Sequence, residues 1–149
     1  MPGTFTLGET TPAPVRRPRT ASSLKRWDNE RVSALTPILS SPGWELLESL
    51  QAKQATNPIP LPELGSALRA AGLDAELVVA VLTQLALRQA ARSKFGPFAS
   101  HMVFTRDGLE QATRLVVAAR HAQRFKDCSA TRVADLGCGI GSDAMAIAG

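Results

Sequence analysis

The sequence predicts a mixed fold in which an α-helical N-terminal region leads into the first strand–loop–helix unit of a parallel α/β sheet. Three observations predict it. Between residues 29 and 126, apolar side chains recur at helical spacing and are punctuated by Pro and Gly. Residues 131–136 are a short run of strand-forming character. Gly137-Cys138-Gly139-Ile140-Gly141 then falls directly between that run and the helix-forming residues 142–148.

The bulk properties bound the answer. A chain of 149 residues is long enough for one ordinary domain and short for two. With 44% hydrophobic and 20% charged residues it has the balance of a soluble globular protein. No apolar run approaches the roughly 20 residues of a membrane span, so no membrane partner is expected. The net charge of +4 is a mild bias: residues 1–30 carry five Lys/Arg against three acids, and residues 31–149 carry twelve against ten. Such a surface is compatible with nucleic acid but is more often that of a solvated Arg-bearing protein. Cys128 and Cys138 are ten apart, with no Cys-x-x-Cys pair and few His nearby. Neither a metal site nor a disulfide framework is indicated, and a cytoplasmic, reducing location fits.

Taken in order, residues 1–28 read as a disordered, basic, Pro/Thr/Arg-rich tail. Arg16-Arg17 is not an export signal, because no apolar stretch follows it. The helical region spans residues 29–126. In it Val32, Leu35, Ile38 and Leu39 form a short helix or turn interrupted by Pro37, and Ser41-Pro42 starts a helix whose buried stripe is Trp44, Leu47 and Leu50. Residues 57–62 are a proline-punctuated linker. A helix over 63–71 stops at Gly72, and Asp74 caps a longer one with an apolar face of Leu77, Val78, Val81, Leu82, Leu85 and Leu87. Arg88, Arg92 and Lys94 suit the negative end of that helix dipole, and residues 95–98 break it. Thr105 caps a helix over 106–126, with Leu109, Ala112, Val116, Ala119 and Phe125 near one side and Arg114, Arg120, Arg124 and Lys126 on the other. His101 and His121 have no partner in the sequence that would make either a ligand or a base.

The glycine loop carries the chemistry. No Gly-Lys-Ser/Thr follows it, which excludes a Walker loop, and a dinucleotide loop wants glycine at its sixth place, where Ser142 stands. The spacing is Asp-x-Gly-x-Gly-x-Gly. A carboxylate at Asp135 would repel a pyrophosphate, whereas S-adenosylmethionine carries no phosphate and presents an ammonium and a sulfonium, which a carboxylate attracts. Asp135 then orients the amino-acid end of the cofactor, and Gly137, Gly139 and Gly141 give it room. Cys138 fits as a small residue, since a nucleophile would need an activating base.

Val133-Ala134-Asp135-Leu136-Gly137-Cys138-Gly139-Ile140-Gly141-Ser142-Asp143 resembles motif I of class I S-adenosylmethionine-dependent methyltransferases. The resemblance implies a Rossmann-like domain opening at residues 131–149, with Asp135, Gly137, Cys138, Gly139, Gly141 and Asp143 as cofactor-binding positions. Lys94-Phe95-Gly96, residues 104–114 and the motif together are similar to bacterial methyltransferases carrying a THUMP-like domain, although Leu115 stands where that group has a proline. This implies that the helical region leads the catalytic fold and that RNA is a possible methyl acceptor.

The expectation is therefore a truncated Rossmann-like methyltransferase fold. Its ribose-binding acid and acceptor loop, and with them the catalytic residues, lie beyond Gly149. Methyl transfer depends on positioning, so this chain alone should transfer no methyl group and bind the cofactor weakly. The rival expectation is a helical nucleic-acid-binding or regulatory module without catalytic activity. The apolar character of helix 74–92 argues for packing rather than groove reading.

Overall fold

The computed structural model describes residues 34–149. The tail expected over residues 1–28, and Val32 of the first amphipathic stretch, lie outside them. The described elements are α1 (Thr36–Leu39), α2 (Ser41–Thr56), α3 (Leu61–Ala70), α4 (Ala75–Phe95), a 3-10 segment (Gly96–His101), α5 (Arg106–Gln111), α6 (Leu115–Asp127) and α7 (Ser142–Ala148).

Local chemistry sets these boundaries. The helix expected to be capped at Ser41 is capped one residue earlier: the Ser40 hydroxyl accepts from the Gly43 amide at 3.2 Å, and Pro42 sits in the first turn. Gly43 lets α1 and α2 meet, because a Cβ there would collide with the Pro37 carbonyl. Helix α3 begins inside the proline-rich linker, since Pro62 lies in the first turn, where a missing amide costs nothing. It ends in a Schellman turn, with Gly72 at φ +81°, the Leu73 amide donating to Leu68 and the Gly72 amide to Arg69. The Asp74 carboxylate caps α4 by accepting from the Glu76 and Leu77 amides.

Helix α4 is the spine of two cores. Its first half packs Val78, Val81 and Leu85 against Ile38, Leu47, Leu50, Leu64 and Leu68 from α1, α2 and α3. Each fully buried side chain of this kind contributes about 1.5–3 kcal/mol. Its second half joins Ala91 and Phe95 to Ala99, Phe104 and Leu109, with the Phe95 and Phe104 ring centroids 5.6 Å apart. Two polar side chains are buried on the same helix. Gln84 and Arg88 are each 1% exposed and turn toward the main chain of residues 102–104.

Two expectations are overturned here. The single helix expected over residues 106–126 is two, α5 and α6, separated by extended backbone at Ala112 and Arg114. Lys94 is the reason: its ammonium donates to the carbonyls of Leu109, Glu110 and Ala112 at 2.7, 2.8 and 3.0 Å. A continuous helix would spend those acceptors on its own amides. The break resets the helical phase, so α6 buries Ala118 and Ala122 and leaves Val116 and Ala119 exposed.

The second correction concerns fold class. The strand expected over residues 131–136 is not formed, and among the described residues there is no strand; they fold as an all-α structure rather than a Rossmann-like one. A strand exists only through hydrogen bonds to a neighbour. With no other strand among the described residues to pair with, residues 131–136 lie exposed, with Leu136 95% accessible.

Candidate functional site

The glycine loop connects the end of α6 to α7. Helix α6 closes in a second Schellman turn, in which Ser129 takes the left-handed position at φ +52°. After the exposed stretch 130–136, Gly137, Gly139 and Gly141 adopt φ of +97°, +58° and +78°, and nothing lies within 4 Å of where a Cβ would stand on any of them. The Gly141 amide donates to the Cys138 carbonyl at 2.8 Å, closing the turn, and the Gly141 carbonyl accepts the first helical bond of α7 from Met145. The loop is pinned at Ile140, which packs on the second core. A Cβ on Gly108 would come within 2.6 Å of Ile140 Cγ2, so a glycine in α5 makes room for that anchor.

Six positions were expected to meet a cofactor, and the structure brings two of them to one place. Asp135 and Asp143 both line a cleft of about 510 Å3 beside α6, together with His121, Arg124, Phe125 and Cys128. Gly137, Cys138, Gly139 and Gly141 form the turn adjoining it and do not line it. Cys138 is exposed, its thiol making only a long contact, 3.8 Å, to the Gly139 carbonyl.

His121, which the sequence leaves without a partner, has one: its Nδ1 lies 2.7 Å from Asp143 Oδ1, tying α6 to α7. The Thr113 hydroxyl and then the His121 imidazole hydrogen-bond the Asp143 carboxylate and hold its pKa below the ordinary 3.8, while partial burial opposes them. The two residues stand 22 positions apart on separate helices, so nothing in the sequence pattern announced the pair. Asp143 is thus committed to holding the helices together. Asp135 has no ion-pair partner among the described residues and keeps a free carboxylate at the lip of the cleft. Asp135 stands where a cationic ligand group would meet it. The Arg124 guanidinium in the same wall would favour a carboxylate on that ligand.

Among the described residues no group of three or more His, Cys, Asp or Glu is arranged to hold a metal ion, and no helix is long and apolar enough to cross a membrane. Arg114, Arg120, Arg124 and Lys126 are all exposed. Helix α4 buries Val78, Ala80, Val81, Leu85, Ala91 and Phe95 in the two cores and leaves Val79 exposed.

Residues 28–91 are similar to a family described as a domain of unknown function, DUF8688. The match covers α1 to α3 and most of α4 and stops short of the glycine loop. Comparison with curated proteins and with solved structures found no match for the chain.

Proposed function

We propose that the 135–143 loop is a binding site for S-adenosylmethionine and that the protein acts in methyl transfer. The observation that carries the reading is the combination of three left-handed, unobstructed glycines with a free carboxylate at Asp135 on the rim of a cleft. Open glycines allow a ligand to approach the backbone closely. The carboxylate favours a ligand that is cationic there, and S-adenosylmethionine brings both an ammonium and a sulfonium. Arg124, in the same wall, is matched to the methionine carboxylate. The reading rests on the loop and cleft and needs no sheet.

RNA is the acceptor class we favour, supported by the exposed Arg114, Arg120 and Lys126 on and beside α6.

The test is a titration of the isotopically labelled chain, following backbone amides by NMR. S-adenosylmethionine should shift the Gly137, Gly139 and Gly141 signals with an affinity weaker than micromolar. S-adenosylhomocysteine, which lacks the sulfonium charge, should bind about fivefold more weakly, the equivalent of about 1 kcal/mol for one partly screened charge pair. Asp135→Asn should erase that difference. No shift of these amides at about 5 mM cofactor, a concentration that would reveal even a weak site, overturns the proposal.

A further inference from the structure

His121 has one ring nitrogen engaged and one open. Nδ1 stands 2.7 Å from Asp143 Oδ1, and the ring makes no other hydrogen bond among the described residues. The Thr113 hydroxyl and His121 hold the Asp143 carboxyl below its ordinary pKa, so it is a carboxylate at neutral pH, and a carboxylate only accepts. The neutral ring must then carry its proton on Nδ1 and donate it, which leaves the lone pair on Nε2. With Nδ1 turned toward Asp143, the open edge of the ring is that of Nε2; the side chain is 45% exposed and lines the cleft that also holds Asp135. A tie between α6 and α7 needs only a donor, and an amide or an ammonium would serve it. An imidazole oriented by a carboxylate on one nitrogen and unprotonated on the other is in addition equipped to take a proton. The cleft wall sets Asp135 and Asp143 against a single cation, Arg124, so a positive charge formed on the ring is accommodated.

We propose that His121 Nε2 is the proton acceptor of this site and that the sulfonium end of the ligand stands against it; the inference rests on the S-adenosylmethionine reading of the same cleft. The methyl acceptor is then a group that must shed a proton on methylation, such as a ribose hydroxyl, and not a ring nitrogen whose lone pair is already free. Its proton passes to Nε2 while its own electron pair forms the bond to the methyl carbon. The carbon–sulfur bond breaks, its electron pair stays on sulfur, and the sulfonium becomes a neutral thioether. Asp143 stabilises the imidazolium until the proton passes to water.

The experiment is long-range proton–nitrogen NMR of the histidine rings in the labelled full chain at about pH 8.5, where an ordinary imidazole is neutral. His121→Gln identifies the His121 signals against those of His101. The proton should be on Nδ1, with Nε2 in the unprotonated range, and Asp143→Asn, whose amide can donate to Nδ1, should move the proton to Nε2. S-adenosylmethionine should displace the Nε2 signal, and S-adenosylhomocysteine at equal occupancy should displace it less, because only the first carries charge on sulfur. A native ring protonated on Nε2 overturns the proposal. So does an Nε2 signal that S-adenosylmethionine leaves in place while the glycine-loop amides shift, which is the behaviour of a histidine that only ties α6 to α7. Glycine amides that do not shift sink the cofactor reading and this inference with it.

Discussion

The side-chain amide of Gln84 makes both main-chain hydrogen bonds of Phe104, its Nε2 donating to the carbonyl at 2.8 Å and its Oε1 accepting from the amide at 3.0 Å. One residue of a helix thus does for Phe104 what a neighbouring strand would do, and the Phe104 ring is free to fill the second core. Replacing Gln84 by Leu keeps most of the volume but strands a buried donor and a buried acceptor. At about 1–3 kcal/mol for each unsatisfied group, Gln84→Leu should destabilise the protein by several kcal/mol, read as a lower urea midpoint at unchanged m. A loss of under about 0.5 kcal/mol, the scatter of an innocuous surface change, would show that the amide pair is dispensable.

Lys94 works in the same way on α5. Its ammonium gathers three carbonyls that face the gap before α6. Lys94→Met retains the aliphatic stem and removes the donors, and the expected cost is about 1.5–3 kcal/mol, as for hydrogen bonds to a charged group. The local signature is more telling than the magnitude. Amide exchange in α5 and in the Ala112–Arg114 bend should accelerate selectively, while α2 and α3 remain protected; uniform acceleration would place the role of Lys94 elsewhere.

These two side chains also explain what the sequence revealed and what it concealed. The Asp74 and Thr105 caps, the Gly72 stop and the break after Phe95 are local, each settled by a residue and its neighbours within four positions, and each is found. The division of residues 106–126 depends instead on Lys94 reaching 15 to 18 residues along the chain, and a strand depends on a partner that can stand anywhere in the fold. Arg88 carried the wrong meaning in sequence, where it suits a helix dipole; in the fold it is buried. At the site, the spacing of the glycines was legible, whereas the His121–Asp143 pair was not, because the helices that bring it together meet only in three dimensions.

Gly43 tests how closely α1 must approach α2. A Cβ there would collide with the Pro37 carbonyl, which is backbone and has no rotamer to escape through. Gly43→Ala, ordinarily favourable inside a helix by about 0.5–1 kcal/mol, should here destabilise by at least about 1–3 kcal/mol, the range for overpacking. Thermal denaturation of the variant gives the sign directly, and a stabilised protein would show that α1 moves aside freely.

Ser129 is the opposite case. It holds φ +52° at the end of α6, a conformation that disfavours a side chain by roughly 1–2 kcal/mol. Its amide donates to Lys126 and the next amide to Phe125, so the turn is specified by hydrogen bonds that glycine would also make. Ser129→Gly should therefore stabilise the protein by up to about 1 kcal/mol, after the added entropy of the unfolded glycine is set against the relieved strain. An unchanged or lower melting temperature would mean that the Ser129 hydroxyl contributes more than the backbone strain costs.

The acid limb of stability should carry the mark of Asp143. Its carboxyl is held below its ordinary value of 3.8, first by the Thr113 hydroxyl and then by His121, so the folded state binds this proton less readily than the unfolded state. The stability it contributes is complete above that ordinary value and is lost as the pH falls through the lower, folded-state value. Asp143→Asn should lower stability near neutral pH and flatten its decline below about pH 4, the region where an unperturbed carboxyl titrates. Because Asp143 joins α7 to α6, the variant should also free the glycine loop, seen as faster amide exchange at Ile140 and Gly141. A variant whose stability falls with acid as steeply as that of the native protein would locate the acid-sensitive contact in another carboxylate.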